Sequence, residues 1–267
     1  QMAYLLMTYF GQQGRREAQK LLERNAQDGD RLLGAFNRPM PHWLDFFCYT
    51  MFVDRDGKFQ LGMLSTSAFR PLAASMGPML KEESFHLGTG SNGLRRVIKA
   101  GVIPLDMLQR FFNKWVSTAH DLFGVDASSS AHWSYVWGVK GRWDERKKLD
   151  AGLEVNKEVL NEEARGHYHD EIVKEVEKLN GYLPEDSVKL FVPHENFNRD
   201  IGAFKRQHYT TEGTLFEGSD EEWDAYILAA LPSAQDEEQL KELFKLEWVA
   251  NKPMSARQIA SGIGAEA

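Results

Sequence analysis

MLKEESFHL, residues 79–87, places two carboxylates and an imidazole inside an otherwise apolar run from Leu72 to about Val97. Glu83 and His86 are three residues apart, so a helix carries both on one face. Such a pair arises by chance in a chain this rich in glutamate and histidine, and it is a second residue that gives it weight. Another apolar run, Trp43 to Leu64, is expected to be interrupted by Asp54, Asp56 and Gly57. The midpoint between Asp54 and Glu83 falls at residues 68–69, just before Pro71, which suits a first helical turn. Two helices turning back there bring both carboxylates to one height, each roughly 20 Å from the turn at 1.5 Å per residue. Helix-bundle carboxylate proteins hold metals with such pairs. A buried, unpaired carboxylate is costly, so Asp54, Glu83 and His86 are candidate metal ligands. The bland alternative is an exposed turn at Asp54-Arg-Asp-Gly57, which lacks the spacing of an EF-hand loop.

The chain has 267 residues, 42% hydrophobic and 27% charged, with a formal net charge of −7. There is no basic excess to neutralise phosphates, which argues against a nucleic-acid coat. No run of 18 apolar residues occurs, so no membrane span is predicted, and the expected location is the cytoplasm. Cys48 is the single cysteine. These residues therefore hold no intramolecular disulfide and no cysteine-ligated iron–sulfur cluster. Any metal they bind is held by carboxylates and imidazoles.

The remaining organisation is mostly helical. Met2, Leu5, Leu6, Tyr9 and Phe10 open a helical pattern without an N-cap, read as one long helix to about Asn25 with a loop over 26–31. No basic segment or cleavage site marks a signal peptide, and an uncapped start predicts that upstream helix is missing. Pro104 to Phe123, ended by Gly124, reads as a helix; Ser128–Ser130 cap a short aromatic one. Residues 144–180 read as one long charged helix, stopped by Gly181 and Pro184. Gly88–Gly93 is expected to loosen or end the helix that carries His86. Val188–Val192 and Tyr209–Phe216 read as short strands, with a hairpin turn at Glu212-Gly213. Asp236–Val249 reads as a final helix, and the tail from Pro253 as loosely attached. The expected architecture is a mainly α helical domain over 1–181 and an irregular, partly β extension with a terminal helix over 182–267.

Other chemistries are weaker. Glu163, His167, His169, Asp170 and Glu171 offer ligand types, but on a charged helix the bland reading is a solvated face. His120 and His132 are read as packed or capping histidines, and Cys48 as a buried, inert thiol. The aromatic run Trp133–Trp143 is read as core rather than pocket wall. Arg95, Arg96 and Lys99 are read as a solvated basic helix end, with contact to an anionic ligand as the alternative. No Gly-x-Ser-x-Gly elbow or phosphate-binding loop occurs.

Several stretches together resemble a known family, the oxygenase components of benzoyl-CoA 2,3-epoxidases, relatives of the catalytic subunits of phenylacetyl-CoA epoxidases. They are Gln1-Met-Ala-Tyr-Leu-Leu6, Leu33-Gly-Ala-Phe-Asn37, Asp54-Arg-Asp-Gly-Lys-Phe-Gln60 and Glu82-Glu-Ser-Phe-His-Leu-Gly-Thr-Gly90. Asp121-Leu-Phe-Gly124, Val139-Lys-Gly-Arg142 and Asn196-Phe-Asn-Arg-Asp-Ile-Gly202 complete the set. The resemblance implies a ferritin-like bundle with two iron ions, whose downstream ligands fall on Asp54, Glu83 and His86. It implies an upstream Glu and a second Glu-x-x-His before Gln1, so that this chain alone is expected to be inactive. It further implies O2 as co-substrate, an aromatic acyl-CoA substrate (benzoyl-CoA first), epoxidation of its ring, and electrons from NADPH through a separate reductase. The competing expectation is a non-catalytic ferritin-like partner subunit.

Overall fold

The computed structural model describes residues 1–25, 36, 39–141, 145–154, 159–201 and 207–244. The expected loop at 26–31, most of the 33–37 stretch, Arg142, Trp143, Gly202 and everything after Phe244 lie outside the described residues. Two compact units are present, Gln1–Leu231 and Pro232–Ala267.

The mainly α expectation is borne out. The first unit contains α1 (Met2–Tyr9), α2 (Gly11–Glu23), α3 (Trp43–Leu64), α4 (Arg70–Ala100) and α5 (Leu105–Leu122). It continues with α6 (Ser129–Val136), α7 (Glu145–Asp150), α8 (Leu160–Asn180) and α9 (Asp220–Ala230). The second unit contributes α10 (Ala234–Phe244), whose start is tied by Ser233 and Asp236 through reciprocal hydrogen bonds.

The long antiparallel pair α3–α4 is the spine. Its turn lies where expected, between Leu64 and Arg70, with Pro71 in the first turn of α4. Asp54 and Gly57 do not interrupt α3, which runs unbroken for 22 residues. Nor do the glycines loosen α4, which continues to Ala100. A Cβ on Gly90 would sit 2.5 Å from the Met51 backbone nitrogen, and one on Gly93 would strike the Phe47 ring. Those glycines exist so that the two helices can touch. α5 and α8 pack on the same spine through Phe52 against Phe112 and Phe59 against Tyr168, all buried.

Four other expectations are corrected. The first helix is two, because Gly11 adopts φ 55° and turns α2 back until Gly14 lies under the Leu6 carbonyl. The charged helix is also two, because Gly152 at φ 70° ends α7; its first residue, Asp144, lies outside the described residues. The expected strands reduce to a single antiparallel bridge, Tyr209 to Leu215, around a turn with Gly213 at φ 88°. Val188–Val192 forms no ladder. The backbone of Leu190 pairs with the side-chain amide of Asn180, and that of Phe191 with the amide of Gln109. Two side chains thus do what a partner strand would do. Lastly, α6 buries none of its residues: Trp133 and Trp137 stack on each other in the open, with centroids 5.3 Å apart. Helix α9 was not expected, although its capping box, Ser219 with Glu222, is written in the sequence.

Adding a methyl at the α3–α4 contact tests how tightly the spine is packed. Alanine is the better helix former by about 1 kcal/mol, yet Gly90→Ala forces the helices apart and is expected to destabilise the fold by about 1–3 kcal/mol net. Urea unfolding measures it; a neutral or stabilising result contradicts the close contact.

Candidate metal centre

Asp54 points from α3 toward α4, where Glu83 and His86 lie one turn apart. The Nδ1 atom of His86 is 3.5 Å from Oδ2 of Asp54 and 3.7 Å from Oε2 of Glu83. One donor atom from each residue lies within 4.8 Å of the other two, and among the described residues this is the one such group of three. The acid side chains are mostly buried, at 17% and 20% exposure, whereas His86 is half-exposed at 49%.

Burial dominates the electrostatics. It pushes the Asp54 carboxyl up to about 7, with the Glu83 charge adding to the rise and His86 opposing it. Glu83 is raised for the same first reason. Its Oε2 is buried without a hydrogen-bond partner, and the nearby imidazole is beyond hydrogen-bond reach. Two desolvated acids, one with a carboxylate oxygen lacking a hydrogen bond, and an imidazole beside them form a donor set that a cation would satisfy. Carboxylate oxygen and imidazole nitrogen suit divalent iron, so the three side chains fit such an ion. The thiol of Cys48, in contrast, is buried and pushed up by desolvation, as expected of an inert cysteine.

The neighbours of Asp54 go elsewhere. Arg55 is buried and donates to Glu171 on α8 at 2.5 Å, and Lys58 joins it at 2.7 Å. Buried Asp56 accepts from Gln60, which accepts in turn from Lys140; Lys140 also donates to Asn161. Burial pushes Asp56 up to about 7, opposed by Gln60 and Lys140. Sequence reasoning did not assign this network, because its members are far apart along the chain.

The second acidic and histidine set does not assemble. Glu171 belongs to the Arg55 pair, while His167 and Asp170 are exposed. Glu163 lies 3.9 Å from Lys148. His169 Nδ1 meets the Nε2 of buried His120 at 3.3 Å, so His120 is packed, as read. Exposed His132 lies edge-on to Trp133. A cavity of about 530 Å³ has His132, Tyr135, Lys140 and Leu160 in its wall and none of the three candidate ligands. At the end of α4, Arg96 and Lys99 are exposed, and Lys99 lies 4.5 Å over the Tyr182 ring.

A raised carboxyl has a stability consequence with a definite sign. The stabilisation of protonated Asp54 is complete below its unfolded value, roughly 4, and is lost as pH rises through about 7. Metal-free protein at pH 8 therefore carries an unfavourable charge. Asp54→Asn is expected to stabilise it at pH 8 by about 1–2 kcal/mol, allowing for solvent screening, and to give about a third of that at pH 5. Thermal unfolding in the presence of chelator at the two pH values measures it.

Residues 1–231 match the family described as phenylacetic acid catabolic protein. The chain is 36% identical to the benzoyl-CoA oxygenase component B of Aromatoleum evansii, over 88% of this chain and 58% of that protein. It is 24% identical to one of the 1,2-phenylacetyl-CoA epoxidase subunits of Escherichia coli, over 64% of this chain and 48% of that one. It thus spans about half the length of the curated relatives it matches. The region matched to the family contains α3, α4 and all three converging side chains, and the chain belongs to the phenylacetic acid catabolic protein family.

Proposed function

We propose that Asp54, Glu83 and His86 hold iron in an oxygenase that epoxidises the aromatic ring of an acyl-CoA thioester, benzoyl-CoA foremost. One observation carries the reading: two desolvated acids and an imidazole converge from neighbouring helices in a chain similar to a protein named benzoyl-CoA oxygenase component B. The chemistry a two-iron centre supplies is reductive activation of dioxygen, one atom going to the ring as an epoxide and the other leaving as water. Asp54 and Glu83 contribute negative charge where water is largely excluded, which favours a cation. Half-exposed His86 contributes a neutral donor on the open side of the pair. Cys48 is the single cysteine and cannot hold an iron–sulfur cluster, so in our reading the electrons come from NADPH through a separate reductase. The word component in the relative's name supports a system of several proteins. No described helix is long and apolar enough to cross a membrane.

The full-length protein tests this. His86→Ala is expected to lower iron content and abolish NADPH- and reductase-dependent turnover of benzoyl-CoA, with helicity nearly unchanged. Iron stoichiometry equal to the parent's would show the ligand assignment to be wrong. Near-zero iron in the parent after anaerobic reconstitution would favour a non-catalytic helical subunit instead.

A further inference from the structure

α3 carries a glycine where a helix interior normally avoids one. Gly57 lies inside the helix, three residues after Asp54 and on the side facing α4. Its backbone needs no left-handed conformation, for it is absent from the residues with positive φ. Conformation therefore does not account for it. What a side chain would meet does. A Cβ at Gly57 would lie 3.2 Å from Oε1 of Glu83, 3.4 Å from its Cδ and 3.7 Å from its Oε2. All three nearest atoms belong to that one carboxylate. Gly90 and Gly93 differ: the atoms that exclude a Cβ there are backbone, hydroxyl or ring atoms of α3, and their role is helix packing.

We infer that Gly57 is a positioning residue for the metal centre: its missing Cβ is the seat that lets the Glu83 carboxylate settle against α3 beside Asp54. The inference rests on the metal reading proposed above. A methyl at this position is close enough to push the carboxylate off α3 by a few tenths of an ångström. Because Asp54 is rooted in α3 as well, that push separates the two acids. Metal–ligand bonds tolerate shifts of only about 0.2 Å, so a displacement too small to disturb the fold is large enough to disturb binding. The two properties are thereby separable by one substitution. Gly57→Ala improves the helix and harms the site.

The test compares the parent, Gly57→Ala and Gly166→Ala in the full-length protein. Gly166 lies on α8, where a Cβ would meet nothing within 4 Å, so it reports helix propensity alone. Both variants are expected to raise the melting temperature of metal-free protein by about 2–4 °C. Anaerobic titration with Co(II), followed through its visible absorption, is expected to show about 10–100-fold weaker binding and a shifted spectrum for Gly57→Ala, with Gly166→Ala matching the parent. If the parent and Gly57→Ala bind Co(II) with equal affinity and identical spectra, the inference is overturned while the metal reading stands. Loss of fold in Gly57→Ala also overturns it, because the methyl would then strike more than a carboxylate. A parent that binds no Co(II) removes the metal reading and this inference with it.

Discussion

The site depends on how closely α3 and α4 approach. Gly90 and Gly93 leave no side chain between the helices, so Thr50, Met51 and Phe47 rest directly on α4. The turn between Leu64 and Arg70 sets the register, and the glycine contact sets the spacing. With both fixed, Asp54 comes opposite Glu83 and His86 within one coordination sphere's reach. Spread the helices and the three donors no longer share a centre, however intact each helix remains.

That approach has an electrostatic consequence. It desolvates two acids together and leaves Glu83 Oε2 without a hydrogen bond. A fold under selection for stability alone would replace such a pair by apolar residues of similar size. Next door, the same problem is solved with protein partners: Arg55 and Lys58 meet Glu171, and Asp56 meets Gln60 backed by Lys140. Three successive charged residues thus find three different surroundings, and only Asp54 faces another acid with no side-chain cation but an imidazole beside it. The contrast within one turn of helix is the physical case for a cation at this point.

The α3–α4 pairing is legible in the sequence because two apolar runs, one proline and the symmetry of Asp54 and Glu83 about residues 68–69 all agree. The differences elsewhere share a cause. Gly11 and Gly152 break helices through positive φ, whereas Gly90 and Gly93 preserve one by allowing contact; residue type alone does not separate these uses. Trp133 and Trp137 read as core because aromatic residues usually are, yet what covers a short helix is decided by distant chain segments. Val188–Val192 is no strand because a strand needs a partner, and here side-chain amides from Gln109 and Asn180 take that role. The Lys140 network is invisible in the sequence for the same reason: its geometry is tertiary.

The most direct measurement is an anomalous difference map at the iron absorption edge, from crystals of the full-length protein reconstituted anaerobically with Fe(II). The account expects a peak enclosed by Asp54, Glu83 and His86, with a second about 3.5–4 Å away as in other two-metal sites. A map with no peak between these three side chains, or with iron only at another place in the protein, would contradict it.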